Sequence, residues 1–421
     1  MNIQPQFTTA KQPLMSERRV ALIGAILVAI GPASMALFTP AMPEIVRAFG
    51  TTEQMVKLTL TLYFAGFAFA QLICGPLSDG WGRRPVTIAF MGIYCVASAV
   101  ALFAPSVEVL IVSRFIQGVG AAVGVAISRA VVRDLFTRDQ SARIMNLIGL
   151  ILGVAPAAAP TIGGLTMEAF GWHAIFILMF AAGAGIAIIV YTSLRETVVR
   201  DLSRVQPKAL VGSYATLLKS RYFLFSAIVV GGTTGAVYAQ ATALPFILMT
   251  RVGLTPSQFG VGMLMQSGFY FVGNLVVRQL MRRMHAAALV PIGLCFTTIG
   301  ITTLFCFLNL SDPTFLKVMG PIAFASFGLA FIMPAMTTAS LAPFPHIAGA
   351  ASALAGFFQM GSGMVGGLLI ATFSDPVMGL ATVVPVMGVT SIISWFLWRR
   401  LPEPALASVK TNAVVPDSPQ S

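Results

Sequence analysis

Two long apolar segments of this chain are joined by a short polar turn, which reads Gly75-Pro76-Leu77-Ser78-Asp79-Gly80-Trp81-Gly82-Arg83-Arg84-Pro85. The glycines permit a tight turn and a close approach of neighbouring helices. The acid and the arginine pair can bridge to the ends of those helices. A turn that only followed the charge bias of membrane loops would explain the two arginines but not Asp79 or the glycines. We therefore expect this run to hold helix ends together at one face of a membrane.

The composition of the whole chain is that of a membrane protein. Of its 421 residues 57% are hydrophobic and 10% are charged, whereas an ordinary soluble domain has about 25% charged residues. Apolar segments of about 18 to 25 residues are long enough to cross a hydrocarbon core roughly 30 Å thick. We predict twelve such spans, at residues 20–40, 56–77, 86–103, 109–132, 144–165, 172–194, 222–249, 259–281, 287–308, 316–342, 347–373 and 380–397.

The spans fall into two sets of six, separated by a polar stretch at residues 195–221 that is rich in arginine and lysine. This repeat predicts a duplicated architecture. Lysine and arginine concentrate in the loops of one face, which predicts that both termini and the linker are cytoplasmic. The predicted division is an N-terminal tail at 1–17, a six-helix bundle at 18–196, a linker at 197–221, a second bundle at 222–401 and a C-terminal tail at 402–421.

Several function classes are excluded by what the sequence lacks. The net charge is +12, but the cations lie in short loops and form no basic stripe, so we expect no nucleic-acid partner. No phosphate-binding P-loop occurs, which argues against an ATP-driven pump. No catalytic motif occurs either, which argues against an enzyme. The four cysteines lie in or beside apolar spans without metal-ligand spacing, so we expect no metal and no cofactor.

The fourth span contains the run Arg114-Phe115-Ile116-Gln117-Gly118-Val119-Gly120-Ala121-Ala122, which places an arginine inside the membrane. An intramembrane charge costs from about 2.5 to over 10 kcal/mol, so it usually faces a cavity and has a function. Snorkelling of Arg114 toward the nearby membrane surface is the alternative.

The fifth span contains Gly153-Val154-Ala155-Pro156-Ala157-Ala158-Ala159-Pro160-Thr161-Ile162-Gly163-Gly164. Its prolines bend the helix and its glycines admit a partner helix, as in ordinary small-residue packing or in a hinge.

These runs resemble motifs of the major facilitator superfamily. The turn at Gly75 is similar to the signature G-x-L-x-D-R-x-G-R-R, except that Gly80 replaces an arginine. The fourth span resembles a pattern whose arginine is linked to proton movement, and the fifth resembles an element that marks antiporters. Two further runs resemble the drug-exporting Bcr/CflA branch, namely Ser128-Arg129-Ala130-Val131-Val132-Arg133-Asp134-Leu135-Phe136 and Ala348-Gly349-Ala350-Ala351-Ser352-Ala353-Leu354.

The resemblance implies an all-α membrane protein with twelve transmembrane helices in two pseudo-symmetric six-helix bundles. It further implies a monomer of the bacterial inner membrane that antiports small drug-like molecules and protons by rocking about a central site. Transport of one specific metabolite by the same fold stays open as an alternative. A receptor that transports nothing is disfavoured, because it needs neither a hinge nor a gate.

One departure from that branch concerns proton coupling. Its members usually have an acid in the first helix, in a pattern like D-x-Y-x-P-x-x-P, where this chain has Ala36-Leu37-Phe38-Thr39-Pro40-Ala41-Met42-Pro43. All acids of the chain lie in loops or at span ends, and Glu44 is the nearest candidate for a proton carrier. Electrically driven or passive transport therefore remains possible. Without an acid at position 36, we expect Arg114 to favour anionic or electronegative substrates.

Polar and aromatic side chains within spans are the candidates for the substrate cavity, since lipid-facing positions disfavour them. The predicted cavity residues are Tyr63, Phe67, Gln71, Arg114, Gln117, Tyr238, Gln240, Gln266, Tyr270, Asn274 and Gln359. The predicted gating motif consists of Gly75, Asp79, Gly82, Arg83, Arg84, Arg133 and Asp134. The predicted antiporter-type hinge consists of Gly149, Gly153, Pro156, Pro160, Gly163 and Gly164.

Overall fold

The computed structural model of the protein describes residues 14–201, 207–402 and 404, and these are almost entirely helical. The helices of the first part of the chain are α1 (Glu17–Phe38), α2 (Met42–Phe49), α3 (Glu53–Trp81), α4 (Arg83–Leu102), α5 (Val107–Ala121), α6 (Val123–Leu135), α7 (Arg138–Phe170) and α8 (Trp172–Ser193). The remaining helices are α9 (Pro207–Lys219), α10 (Arg221–Pro245), α11 (Pro256–Leu280), α12 (Ala286–Leu310), α13 (Phe315–Leu341), α14 (Ala348–Thr372) and α15 (Pro376–Trp398). The predicted all-α fold is confirmed.

Most of these helices are long enough and apolar enough to cross a membrane. Eleven candidate spans occur in the described ranges, where α1 with α2 and α5 with α6 each count as one span. Helix α7 has 33 residues, or about 50 Å at 1.5 Å per residue, and makes a twelfth helix of sufficient length. Helix α9, of 13 residues, lies in the stretch that the sequence analysis predicted to be a polar linker.

The predicted tight turn at Gly82 is present between α3 and α4. Gly82 has a φ of 103°, a conformation that residues with a Cβ rarely adopt. The chain therefore reverses direction within one residue, and α4 begins at Arg83. The expected close approach of a neighbouring helix is absent at Gly75, because a Cβ at that position would meet open space.

Two halves of the chain pack side by side, and we call residues 17–193 the first half and 221–398 the second half. They meet mainly where α3 contacts α14 and where α7 contacts α11. Helix α1 begins beside the start of α7, where Glu17 and Arg143 form an ion pair at 3.5 Å. We call the end of the molecule that holds the start of α1 the terminal end, and the other the opposite end.

Glycines set the distance between helices inside each half. A Cβ on Gly66 of α3 would collide with the backbone carbonyl of Phe115 in α5, and a Cβ on Gly118 of α5 would collide with the carbonyl of Tyr63. The two helices therefore lie backbone against backbone. Small residues permit this packing in membranes, where lipid chains remove the hydrophobic driving force between helices.

We expect Gly66→Ala to destabilise the protein by about 1–3 kcal/mol, since the new methyl group must push α3 and α5 apart. The matched control is Gly92→Ala in α4, where an added Cβ meets nothing within 4 Å. Thermal unfolding of the detergent-solubilised variants measures both. Equal melting temperatures for the two variants would contradict this account of the packing.

Candidate functional site

Aromatic side chains of α3, α10 and α11 come together beside the seam between the two halves. Tyr238 of α10 packs against Phe64 of α3, with ring centroids 5.3 Å apart. Tyr270 of α11 lies near Tyr238, and each side chain is only partly buried. The structure therefore brings these two predicted cavity residues together at the seam.

Two glutamines, one in each half, are buried without a full set of hydrogen bonds. Gln71 of α3 is 5% exposed and Gln240 of α10 is 4% exposed. The Oε1 atom of Gln71 and the Nε2 atom of Gln240 have no hydrogen-bond partner. The Gln71 amide lies against Gly356 of α14, so it reaches across the seam. A buried polar atom left unpaired costs about 1–3 kcal/mol, so both amides are candidates for contact with a bound molecule.

Arg129 of α6 is a cavity residue that the sequence analysis did not select. Its side chain is exposed to water although protein surrounds it on all sides, as expected of a residue that lines a deep opening. Its Nη1 atom donates a 2.6 Å hydrogen bond to Ser352 of α14, across the seam. The only signal for Arg129 in the sequence was that Arg129 and Ser352 each belong to one of the two runs that resemble the drug-exporting branch.

Arg114 lies inside the first half, away from the seam. It is 0% exposed, and its guanidinium is 4.4 Å from the ring centroids of both Phe38 and Tyr63. It donates a hydrogen bond to Gln117, whose Nε2 atom donates to Ser98 at 2.7 Å. The charge is therefore held by aromatic rings and an amide, and no carboxylate of the described ranges forms an ion pair with it.

Four predicted cavity residues thus form a cluster within the first half. Tyr63 donates a 2.9 Å hydrogen bond to the carbonyl of Gly31, and Phe67 packs against the same glycine. Arg114 and Gln117 complete the cluster. Helical spacing had correctly placed these side chains on shared helix faces. Those faces pack against α1 and α8 of the same half. Polar groups inside a bundle can pair with one another as well as with a ligand, so helical spacing alone did not distinguish the two cases. In this conformation Arg114 does not present its charge to the cavity.

The other predicted cavity residues lie on helices of the second half. Gln266 of α11 is buried, and Gln359 of α14 is partly buried. Asn274 donates a 2.9 Å hydrogen bond to the carbonyl of Tyr270 within α11. The Asn274 amide therefore already has a partner within its own helix.

The predicted gating motif forms a compact cluster of charges at the terminal end of the first half. Arg83 is buried and forms ion pairs with Asp79 and with Asp134, the latter at 3.1 Å. Arg84 lies over the ring of Tyr191, 4.8 Å from its centroid. Arg133 is largely exposed, with its Nε atom 3.9 Å from Asp134. The expected bridges between helix ends are present, and they join α3, α4 and α6.

Glu196 completes this cluster and was missed by sequence reasoning, which treated it as a loop acid. Its two carboxylate oxygens accept hydrogen bonds from the backbone N–H groups of Arg83 and Arg84, at 2.9 and 3.0 Å. These groups begin α4, where a negative charge is stabilised by the unpaired N–H groups of the helix. Gly80, the departure from the superfamily signature, accepts a 2.9 Å hydrogen bond at its carbonyl from the backbone of Asp201.

The predicted hinge lies at the seam between α7 and α11, near the opposite end. Cβ atoms on Gly164 and Gly260 would collide with the carbonyls of Pro256 and Pro160. Thr161 donates a 3.1 Å hydrogen bond to the carbonyl of Gly260. A Cβ on Gly163 would collide with the carbonyl of Leu37 in α1. Gly149, Gly153 and Pro156 lie outside the residues whose side-chain surroundings the structure describes.

Comparison with known proteins identifies the family. The model of the Major Facilitator Superfamily matches residues 24–367. Multidrug resistance protein D of Escherichia coli (strain K12) is 28% identical over 387 residues, which cover 89% of this chain and 94% of that protein. A bicyclomycin resistance protein homolog of Haemophilus influenzae is 27% identical over 382 residues, covering 88% and 92%.

The fold agrees with that of a solved transporter. The inward-facing, unoccupied structure of a bacterial homolog of the human lysosomal transporter Spinster has a TM-score of 0.70 and 15% identity, covering 91% of this chain and 96% of the other. The chain belongs to the major facilitator superfamily. It is therefore a multi-pass membrane protein and a transporter, as the motifs predicted, and not an enzyme.

We expect Glu196→Gln to lower stability by about 1–2 kcal/mol, because a neutral amide interacts less strongly than a carboxylate with the start of α4. The control is Glu44→Gln, which removes only an exposed ion pair with Arg47 and should change stability by less than about 1 kcal/mol. Thermal unfolding in detergent at neutral pH compares the two. A larger loss for Glu44→Gln would show that Glu196 does not hold the turn.

Proposed function

We propose that this member of the superfamily is a secondary active transporter that exports small drug-like molecules from the bacterial cytoplasm by alternating access. The two buried amides of Gln71 and Gln240 are the observation that carries this proposal, since they come from different halves and have unpaired atoms. Amide groups bind neutral polar ligands because each has an NH₂ group that donates and a carbonyl oxygen that accepts hydrogen bonds. The drug-resistance names of two relatives support the same substrate class.

The proposed direction of transport depends on orientation. The loops at the terminal end hold most arginines, including Arg83, Arg84 and Arg133, so we place that end in the cytoplasm together with both termini. Arg129 then lies between the cavity and the cytoplasm. A substrate from the cytoplasm would pass Arg129 before it reaches Gln71 and Gln240.

The proposed moving units are the two bundles at residues 18–196 and 222–401, joined by the linker at 197–221. Helix α9 in this linker packs against α10 and α14 of the second half, and Tyr214 donates a 2.7 Å hydrogen bond to the carbonyl of Leu72 in the first half. Burial raises the pKa of Tyr214 to about 12, so it remains a donor at physiological pH. The backbone contacts of Gly164 and Gly260 would serve as the pivot at the opposite end. The Arg83 cluster would rigidify the first bundle as it moves.

The charge of the cavity suggests which drug-like molecules are preferred. Arg129 is the cation that faces the opening, while no carboxylate is among the cavity residues named above. We propose that neutral, electronegative and anionic molecules are exported better than lipophilic cations. This is the substrate preference that the sequence analysis attached to Arg114, now assigned to Arg129, because Arg114 is sealed within the first half.

We propose that a proton gradient drives export by antiport, but one observation favours a facilitator without proton coupling. Ala36 occupies the position of the usual acid and is buried. Glu44, the nearest candidate, lies on the short helix α2 and pairs with Arg47 at 3.1 Å at the surface. Transport assays with and without a pH gradient distinguish the two, and we expect the functional unit to be a monomer.

We expect Gln71→Leu and Gln240→Leu each to reduce export at least about tenfold, the effect of losing about 1.4 kcal/mol of substrate binding. The same changes should leave thermal stability equal or higher, because each removes an unpaired buried polar atom. Export is measured in an efflux-deficient strain across a panel of antibiotics, then in inverted vesicles. Gln279→Leu, at an exposed position of α11, is the control. Full activity in both glutamine variants, or no export of any compound by the wild type, would refute the proposed function.

We expect Arg129→Gln to reduce export of anionic compounds more strongly than export of neutral compounds, because only the anionic compounds lose an ionic partner. Arg278→Gln removes an exposed arginine of α11 and should reduce neither. Competition transport in proteoliposomes, with neutral, anionic and cationic ligands and the membrane potential clamped, measures the preference. Preferred export of cations by the wild type would contradict the charge argument.

A further inference from the structure

A lysine is buried near the opposite end of the molecule, in the second turn of α3. Lys57 is 0% exposed, and its Nζ atom has no hydrogen-bond partner. An ammonium group removed from water loses its hydration, and buried charges are normally both paired and hydrogen-bonded. Packing alone therefore does not account for a lysine at this position.

Charged groups from both halves act on Lys57. On its own helix, the Oε2 atom of Glu53 is 3.7 Å from Nζ and also lacks a hydrogen bond. At the start of α15, the Asp375 carboxylate attracts the ammonium electrostatically. Arg251, after α10, competes for Asp375 at a distance of 3.7 Å. Within the described ranges these are the titratable and charged groups that face Lys57.

The rest of the environment is apolar and belongs to the second half. The Nζ atom lies 5.4 Å from the centroid of the Phe246 ring, in the π-helical turn that follows α10. One turn further along α3, Thr61 lies against Gly367 of α14 so closely that a Cβ there would meet its hydroxyl. Lys57 is therefore sealed by contacts between the halves, and any motion that separates the halves at this end exposes it to water.

We propose that Lys57 is a proton-binding site of the gate at the opposite end. When the halves separate there, water reaches the amine and it binds a proton from that side. When they close, the ammonium loses its hydration and passes the proton to Glu53, whose side chain is 30% exposed, and from there to the water outside. The proton exchanges with one side only, so the site links opening of the gate to pH on that side. This inference rests on the proposed alternating access.

The sign of the effect follows from proton linkage. The open state binds more protons than the closed state, so low pH favours opening. In the pH window where the two states differ by one bound proton, the open-to-closed ratio should fall about tenfold per unit rise in pH. An exporter would thereby open more readily toward an acidic exterior.

The test measures the distance across the opposite end by pulsed electron spin resonance. Spin labels are attached at Arg47→Cys and Asp312→Cys, both exposed and on different halves, in a variant whose four native cysteines are serine. Distances are recorded in nanodiscs from pH 5 to pH 10, and export is assayed in parallel. We expect the wild type to show a long-distance population that shrinks as pH rises.

The variants separate charge from structure. Lys57→Met should remain closed at every pH, whereas Lys57→Arg, which cannot lose its proton at these pH values, should remain open. Lys317→Met, at a partly exposed lysine near the same end, should keep the pH response of the wild type. Failure of Lys57→Met to fold leaves Lys57→Arg as the decisive variant, because it retains a cation.

Two results would overturn the inference. The first is a wild-type distance distribution that does not change with pH while export is normal. The second is a Lys57 variant with the same pH response as the wild type. If the pH response is present but no compound is exported, the proposed export function fails and the assignment of Lys57 stands.

Discussion

The hydrocarbon core of a membrane offers no hydrogen-bond partners, and this constraint governs the whole structure. Every backbone group within it must be paired inside the protein, so the spans are helices. Once the backbone is paired, helices can approach only as closely as their side chains allow. Gly66 and Gly118 bring α3 and α5 into backbone contact, and Gly164 and Gly260 do the same for α7 and α11. The first pair joins helices within one half, whereas the second lies where the halves meet.

Because the hydrocarbon core offers no hydrogen-bond partners, the buried polar groups differ in how far the protein itself pairs them, and three kinds occur. Arg83 is fully compensated by two carboxylates and a serine hydroxyl, as expected of a structural charge. Arg114 is compensated only in part, since two aromatic rings and Gln117 contact its guanidinium while its Nε and Nη2 atoms have no hydrogen-bond partner. Gln71 and Lys57 have unpaired atoms and lie where the halves meet, and Gln240 of α10 is a third buried group with an unpaired atom. Because a moving seam cannot pair its polar groups equally well in every conformation, unpaired atoms are expected there.

The distribution of these groups also explains how a chain without the usual membrane acid can work as a transporter. Position 36 is an alanine packed in the first half, and two acids near the opposite end, Glu53 and Asp375, attract a lysine. In the proposed scheme the cation that meets the substrate is Arg129, and the group that responds to pH is Lys57. Substrate binding and proton binding then occupy different positions along the seam.

Sequence by itself determined the membrane-spanning segments, the tight turn at Gly82 and the charged cluster around Arg83. These depend on local composition and on residues close together in the chain, so periodicity and motifs were sufficient. The tertiary structure decided which face of each helix meets the seam. Tyr63 and Arg114 proved to face the interior of the first half, Glu196 proved to cap α4, and Arg129 and Lys57 proved to lie between the halves. The physical reason is that a polar residue inside a span must avoid lipid, but it does so equally well inside a bundle and between two bundles, and only the packing of distant helices distinguishes the two.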